Sequence, residues 1–377
     1  MPRILFLTTA HRYNDDRIFY HQAKELKSCG YEIKICSLSS EYQGSIDGIE
    51  IESYAVLDQS SDEKARIFQE VCDTFLPDCI IGSEPLAIIA VKEYRKRHKA
   101  SLIYDITEWY PSMRMVREYS FFLKIFHALR FLMIQLYAGY LSTHFIFGEK
   151  TKKFPLAYCF PFKKSIILPY FPDAQYIYTS IREPEANRIT LCYTGQISEE
   201  KGIGNFFNAV DRFRSLRPGL HISILIIGGA RTEKDQAYFD ALLEKYQWQD
   251  ISLRKPASFE KFTEAYAEAD ICFDLREINF ENHHCLPIKI FYYAASGKPV
   301  IYSDLKATRQ FVDISRFGFL VDPQSADAIA GKVMAYIDDP ALYKAHAHGA
   351  RAVFEEQYNW AAIKNSFTDF VKKSMLK

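Results

Sequence analysis

Four loops in this chain gather residue types that act on polar, anionic substrates. They are residues 11–17 (HRYNDDR), 105–111 (DITEWYP), 195–202 (GQISEEKG) and 277–287 (EINFENHHCLP). In the first two, Asp16, Arg17, Asp105 and Glu108, with His11 beside them, offer the charges that recognise a polar substrate. The competing reading is helix capping by Asp15 or Asp16 and an ordinary surface ion pair. In the third, Lys201 can reach a phosphate placed at a neighbouring helix start. A lysine simply solvated at a helix N-terminus is the alternative, although a cation is electrostatically unwelcome there. Gly228 and Gly229 permit close backbone approach or form only a turn. After the fourth loop, Pro287 suits a first helical position and Gly297 a left-handed helix end. The spacing predicts a helix from Pro287 whose free N–H groups suit a phosphate, or a packing helix with the same caps. His283, His284 and Cys285 are consecutive and do not readily converge on one ion, so no metal is expected.

These loops need elements to hold them. Apolar runs at 3–8, 31–38, 80–82 and 102–105 read as buried strands, separated by helical patterns over 15–27 and 85–96. A proline-bracketed stretch at 169–172 and a polar run to 188 read as a linker. Alternation then resumes, with strands at 191–194, 221–227, 251–253, 271–275, 300–302 and 317–321. Helices are expected over 203–216, 233–246, 259–269, 324–338, 340–357 and 360–372. Strand–loop–helix–strand alternation implies parallel sheets covered on both faces, with ligands at the carboxyl ends of the strands.

A chain of 377 residues fits two domains. With 48% apolar and 25% charged residues it has the composition of a globular protein. Lys plus Arg and Asp plus Glu both number 47, so no overall field favours nucleic acid. Eight scattered cysteines without a CxxC pair suit a reducing compartment. The chain opens directly on a strand, and no charge-free apolar run approaches the roughly 20 residues of a membrane span. The expected location is therefore cytoplasmic. Residues 120–140 form a broad apolar stripe with basic neighbours through Lys164. A core helix is the first reading, and peripheral membrane contact through 120–164 is the second.

Together, YTGQISEEKGIGNFFNAV, ILIIGG, EAYAEADICF, LPIKIFYYAASGKPVI and GFLVDP, in that order, resemble the C-terminal domain of GT-B glycosyltransferases of family 4. The N-terminal ILFLTTAHRYNDDRIFYHQAKELKSCGYEIKI is similar to the acceptor-side domain of the same enzymes. The resemblance implies an α/β chain of two Rossmann-like domains facing across a cleft. An acceptor-side domain over 1–170 would be joined by a C-terminal helix, 358–377, crossing back from a nucleotide-sugar domain over 171–357. It further implies retaining transfer without metal or other cofactor, the diphosphate being held by Lys201 and the helix at Pro287. Lys201, Glu108 and Asp105 would then carry catalysis, while His11, Asp16 and Arg17 face a glycan or lipid-linked acceptor. Gly195, Gln196, Gly229, Leu286 and Pro287 would line the donor.

The chain departs from the family pattern at four positions. Two glutamates expected eight residues apart are His284 and Tyr292, an arginine is Gln196, and a cleft histidine is Thr107. Glu277, Glu281, Asn282 and His283 are nearby substitutes for binding sugar or ribose hydroxyls. The function expected is a nucleotide-sugar transferase of surface polysaccharide synthesis. The alternatives are a catalytically silent GT-B relative acting as a binding subunit and, less favoured, a sugar-nucleotide epimerase.

Overall fold

The computed structural model describes residues 1–183, 185 and 187–376, so Pro184 and Ala186 of the expected linker and Lys377 of the expected crossing helix lie outside the described residues. The chain divides into two compact units, one built on Met1–Tyr170 and joined by residues from Ile363 onward, the other spanning Phe171–Ala362.

The first unit holds β1 (Arg3–Thr8), β2 (Glu32–Ser37), β3 (Ser39–Ile46), β4 (Ile49–Ala55), β5 (Cys79–Gly82), β6 (Ser101–Ile106), β7 (His144–Phe147) and β8 (Ser165–Ile167). They form one sheet in the order β3-β4-β2-β1-β5-β6-β7-β8, parallel except where β3 runs against β4. The central strands are apolar on both faces and almost entirely buried, as a helix-covered parallel sheet demands. The second unit holds β9 (Arg188–Gln196), β10 (His221–Gly229), β11 (Ile251–Arg254), β12 (Ile271–Asp274), β13 (Val300–Ser303) and β14 (Gly318–Val321). Their order is β11-β10-β9-β12-β13-β14, parallel throughout. Strand order reverses between β1 and β5 in one sheet and between β9 and β12 in the other. Each reversal opens a crevice at the carboxyl ends of the two strands, where open α/β sheets bind ligands.

Several elements differ from the sequence reading. The helix expected over 15–27 is a wide-turned segment, Asp16–Ala23, running into a regular one, Lys24–Ser28. Its N-terminus is capped by Asp15, whose carboxylate accepts the amides of Arg17 and Ile18. The helix over 85–96 is broken at Val91 into Pro85–Ala90 and Lys92–His98. The helix expected over 259–269 shrinks to short turns at Phe259–Lys261 and Phe262–Ala265. The β3–β4 hairpin and the Ser61–Phe75 helix were not foreseen. The final helix, Trp360–Met375, begins in the second unit and continues in the first, where Lys364 pairs with Glu25 at 3.3 Å and the Phe370 ring meets His144.

The largest departure is the helix Phe121–Leu141. Only Gln135, Ala138 and Gly139 on it are buried, so the expected core helix is an exposed one. At 21 residues and mean hydropathy 1.4 it is long and apolar enough to cross a membrane by length and composition, which sequence inspection had not anticipated. Lys124 and Arg130 interrupt the apolar run and hid its length.

Candidate functional site

The crevice of the second unit is built by the loops after β9 and β12. Tight backbone packing fixes them. Gly202 has φ +79°, and a Cβ there would lie 1.9 Å from the Leu275 carbonyl oxygen. Gly202→Ala is therefore expected to cost the second unit about 2–4 kcal/mol in urea unfolding, because both the backbone and its neighbour must yield. An unchanged midpoint would contradict this packing. The Glu277 amide donates to the Glu200 carbonyl at 3.0 Å, tying the two loops together beside Lys201. A Cβ on Gly228 would sit 1.9 Å from the Gly195 carbonyl oxygen, whereas one on Gly229 would meet open space. The glycine that the packing requires is thus Gly228, while Gly229 takes part through its carbonyl, which accepts the Ile197 amide.

Beneath these loops lies a charge cluster that the sequence reading missed. Asp274, at the end of β12, pairs with Arg276 through Nε at 2.7 Å and again through Nη2. Lys289 sends its ammonium 3.2 Å from the same carboxylate and donates to the Thr194 carbonyl at 2.5 Å. Burial would raise the Asp274 pKa, yet the charges of Arg276 and Lys289 hold it well below the carboxylate range. Lys289 is lowered by burial, with Arg276 adding to the shift and Asp274 opposing it. Arg276 and Lys289 thus converge on one carboxylate at the ends of β9 and β12. Lys201 lies on the rim, half-buried, with Glu200 at 3.2 Å.

The donor-side residues expected beyond the crevice are placed differently. The helix expected from Pro287 is regular only over Lys289–Ala295. Pro287 is buried and Leu286 half-buried in its lead-in. Tyr292 is buried with its ring against Phe259 and Phe262. Asn282 is buried and donates to the Glu277 carbonyl, holding the loop. His283 accepts the Lys306 amide, while the His284 ring nitrogen contacts the Phe280 carbonyl at 2.8 Å. Gln196 is half-buried and its carbonyl accepts the Tyr193 hydroxyl. Among the described residues no group of three His, Cys, Asp or Glu side chains is gathered for a metal.

The crevice of the first unit, between β1 and β5, is acidic. Glu84, absent from the sequence reading, accepts Thr8 Oγ1 and the amides of Thr9 and Ala10, so it shapes the loop carrying His11. His11 Nδ1 meets Asp15 at 2.9 Å. Burial works against a charged imidazole, but the hydrogen bond and charge of Asp15, with Glu84 and Glu108, raise His11 to about 9. Burial, and then the Asp15 charge, raise Asp16 to about 7. Arg17 and Asp105 do not face a crevice as free groups. Arg17 is buried, chelates both Asp105 oxygens at 2.8 Å, donates to the Leu168 carbonyl and stacks its guanidinium on Tyr170. Asp105 also accepts Gln22 at 2.7 Å. The carboxylate expected to be catalytic is therefore held in a buried ion pair, and Glu108 is the exposed one. Thr107 is buried, its carbonyl bonded by Lys152.

These shifts set a pH dependence. Folded His11 holds its proton more tightly than the free imidazole at 6.5, so its stabilisation is complete below pH 6.5 and lost as pH rises through about 9. Asp16 acts in the same direction between its ordinary 3.8 and about 7, since the folded state keeps the proton there. The urea midpoint of the first unit is expected to fall between pH 6.5 and 9, and His11→Gln to flatten that decline. An equally steep decline in His11→Gln would contradict the assignment.

Residues 188–339, the sheet and helices around the second crevice, match the family model of glycosyl transferases group 1. Sucrose-phosphate synthase from Thermosynechococcus elongatus superposes with a TM-score of 0.75 at 15% identity, over 98% of each chain. HepE from Anabaena in complex with UDP gives 0.72 at 13% identity, over 98% of this chain and 100% of that one. The chain has the GT-B fold. A glycosyltransferase from Rickettsia africae ESF-5 shares this GT-B fold at TM-score 0.73 and 16% identity, over 99% and 98% of the two chains. Glycogen synthase from Mycobacterium tuberculosis H37Rv is 23% identical over 185 residues, 48% of this GT-B chain; the match spans 42% of that relative's own length. The resemblance read from the sequence motifs is thereby confirmed at the level of fold, and the group 1 match falls on the unit that carries Lys201 and Lys289.

Proposed function

We propose that the protein transfers a sugar from a nucleotide-sugar donor, held by the second unit, to a glycan or lipid-linked acceptor met by the first. The cationic side chains at the second crevice carry this reading: Arg276 and Lys289 around Asp274, with Lys201 on the adjoining loop, suit a nucleoside diphosphate. HepE, a structure of the same fold, is described in complex with UDP and with UDP-glucose, which supports a uridine donor as the first to try. A departing diphosphate would be stabilised by fixed cations that need no reorganisation, the term that usually dominates such catalysis. Transfer would proceed with retention and without metal, in the cytoplasm, for surface polysaccharide assembly. Incubation with a panel of nucleotide sugars and lipid-linked acceptors tests this. A glycosylated product supports it, and no binding of any nucleotide or sugar nucleotide overturns it.

One observation favours a second reading, a silent relative that binds without turnover. Tyr292, where the family pattern has a ribose-binding glutamate, is packed among aromatic rings. Donor turnover that disappears in Lys201→Ala would eliminate it.

A further inference from the structure

The Phe121–Leu141 helix and the turn that follows β7 make one exposed apolar face on the first unit. Along the helix, Phe122, Phe126, Leu129, Met133, Tyr137 and Tyr140 recur every three or four residues, and all six are exposed, Phe122 to 82%. The opposite side is anchored: Gln135, Ala138 and Gly139 are buried, and a Cβ on Gly139 would press within 2.5 Å of Leu156. Leu156 belongs to a turn whose Phe154, Tyr158 and Phe162 also point outward, Phe162 to 98%. Lys163 joins the two pieces. Its ammonium caps the helix, donating to the carbonyls of Gly139, Tyr140 and Ser142 at 2.6–2.7 Å.

Charge says what covers this face. From Tyr119 to Pro172 the sequence carries seven cations (Lys124, Arg130, Lys150, Lys152, Lys153, Lys163 and Lys164) and a single carboxylate, Glu149. That is a local net of +6 in a chain whose total is zero. The single carboxylate is already paired with Lys152 at 3.0 Å. Lys124, Arg130, Lys150 and Lys164 are ion-paired with no carboxylate among the described residues. A second protein chain would ask for complementary acidic groups on an apolar partner. A bilayer with anionic headgroups supplies both at once, an acyl boundary for aromatic side chains and negative charge for the flanking cations.

We infer that this face docks the first unit onto an anionic lipid bilayer, with the Phe121–Leu141 helix lying in the interface plane. The helix does not span. It follows β6 and leads within three residues into β7, neighbouring parallel strands of the sheet, so inserting it across a bilayer would unpick the unit. The inference does not rest on the proposed transferase activity, and a protein without turnover would still dock.

Co-sedimentation of the full chain with vesicles tests it. Phosphatidylcholine vesicles with about one-third phosphatidylglycerol are expected to retain the protein, and pure phosphatidylcholine vesicles at least about tenfold less, from the attraction of several cations. Raising the salt concentration should release it, since the attraction is screened. Phe122→Asp with Phe126→Asp, both at exposed positions, is expected to abolish retention while leaving the thermal unfolding midpoint unchanged. Lys150→Ala with Lys164→Ala should weaken retention about tenfold and spare the fold. Equal retention on neutral vesicles, or no retention on anionic ones, overturns the inference. So does a dimer in sedimentation equilibrium that the Phe122→Asp and Phe126→Asp pair dissociates, because the face would then be covered by a second copy.

Discussion

Replacing Arg17 with methionine is expected to destabilise the first unit by about 3–5 kcal/mol, the largest stability effect of any single change considered. The reason is geometric. The guanidinium makes two bonds to Asp105 and one to the Leu168 carbonyl, and lies 4.4 Å from the Tyr170 ring centre. Methionine fills much of the volume but leaves the Asp105 carboxylate buried with Gln22 as its remaining partner. An uncompensated buried charge costs far more than the pair contributes, so Arg17→Met with Asp105→Leu should recover part of the loss. Urea unfolding with an unchanged slope measures it. A loss below about 1 kcal/mol would mean that the pair behaves like a surface ion pair and does not fix the loop after β1.

Lys201→Ala is expected to do the opposite: leave stability nearly untouched and remove function. Its ion pair with Glu200, a partly exposed neighbour 3.2 Å away, is a contact of the kind worth about 0–1 kcal/mol. If Lys201 bears on the diphosphate, however, turnover with the true donor should fall about 10²- to 10³-fold, as when one preorganised donor is lost. Lys289→Met separates rim from floor. It removes one of the two basic groups beside Asp274 and also strips the bond to the Thr194 carbonyl, so it should lower both binding and the unfolding midpoint. A Lys201→Ala protein with full turnover would move the phosphate site away from the rim.

Much of the fold was legible because parallel strands buried on both faces announce themselves as apolar runs, and because Gly297, at φ +74°, ends its helix as expected. The β3–β4 hairpin was not, since β3 is a polar edge strand, SSEYQGSI, largely open to solvent. A usable signal for the Ser61–Phe75 helix did exist: Ser60 and Glu63 form a capping box at the expected spacing. The apolar helix shows a limit of periodicity. Its stripe is broad enough to be read as core, and only the packing of Ala138 and Gly139 reveals which side faces inward.

The site was legible by halves. Lys201 and the glycines follow from a strand feeding a helix. Glu84, Asp274, Arg276 and Lys289 look in the sequence like scattered loop and helix charges, because strand order, which sets β1 beside β5 and β9 beside β12, is not a local property of the chain. Asp105 and Arg17 lie 88 positions apart, and nothing short of the sheet joins them. The same applies to Tyr292, whose aromatic neighbours Phe259 and Phe262 come from a separate turn.

Calorimetric titration of the full chain with UDP, GDP, dTDP, ADP and CMP tests the central claim most directly. The account predicts that a nucleoside diphosphate saturates a single site, and that Lys201→Ala weakens the binding at least about tenfold with the fold intact. A folded protein that takes up none of the five at millimolar concentration would contradict it.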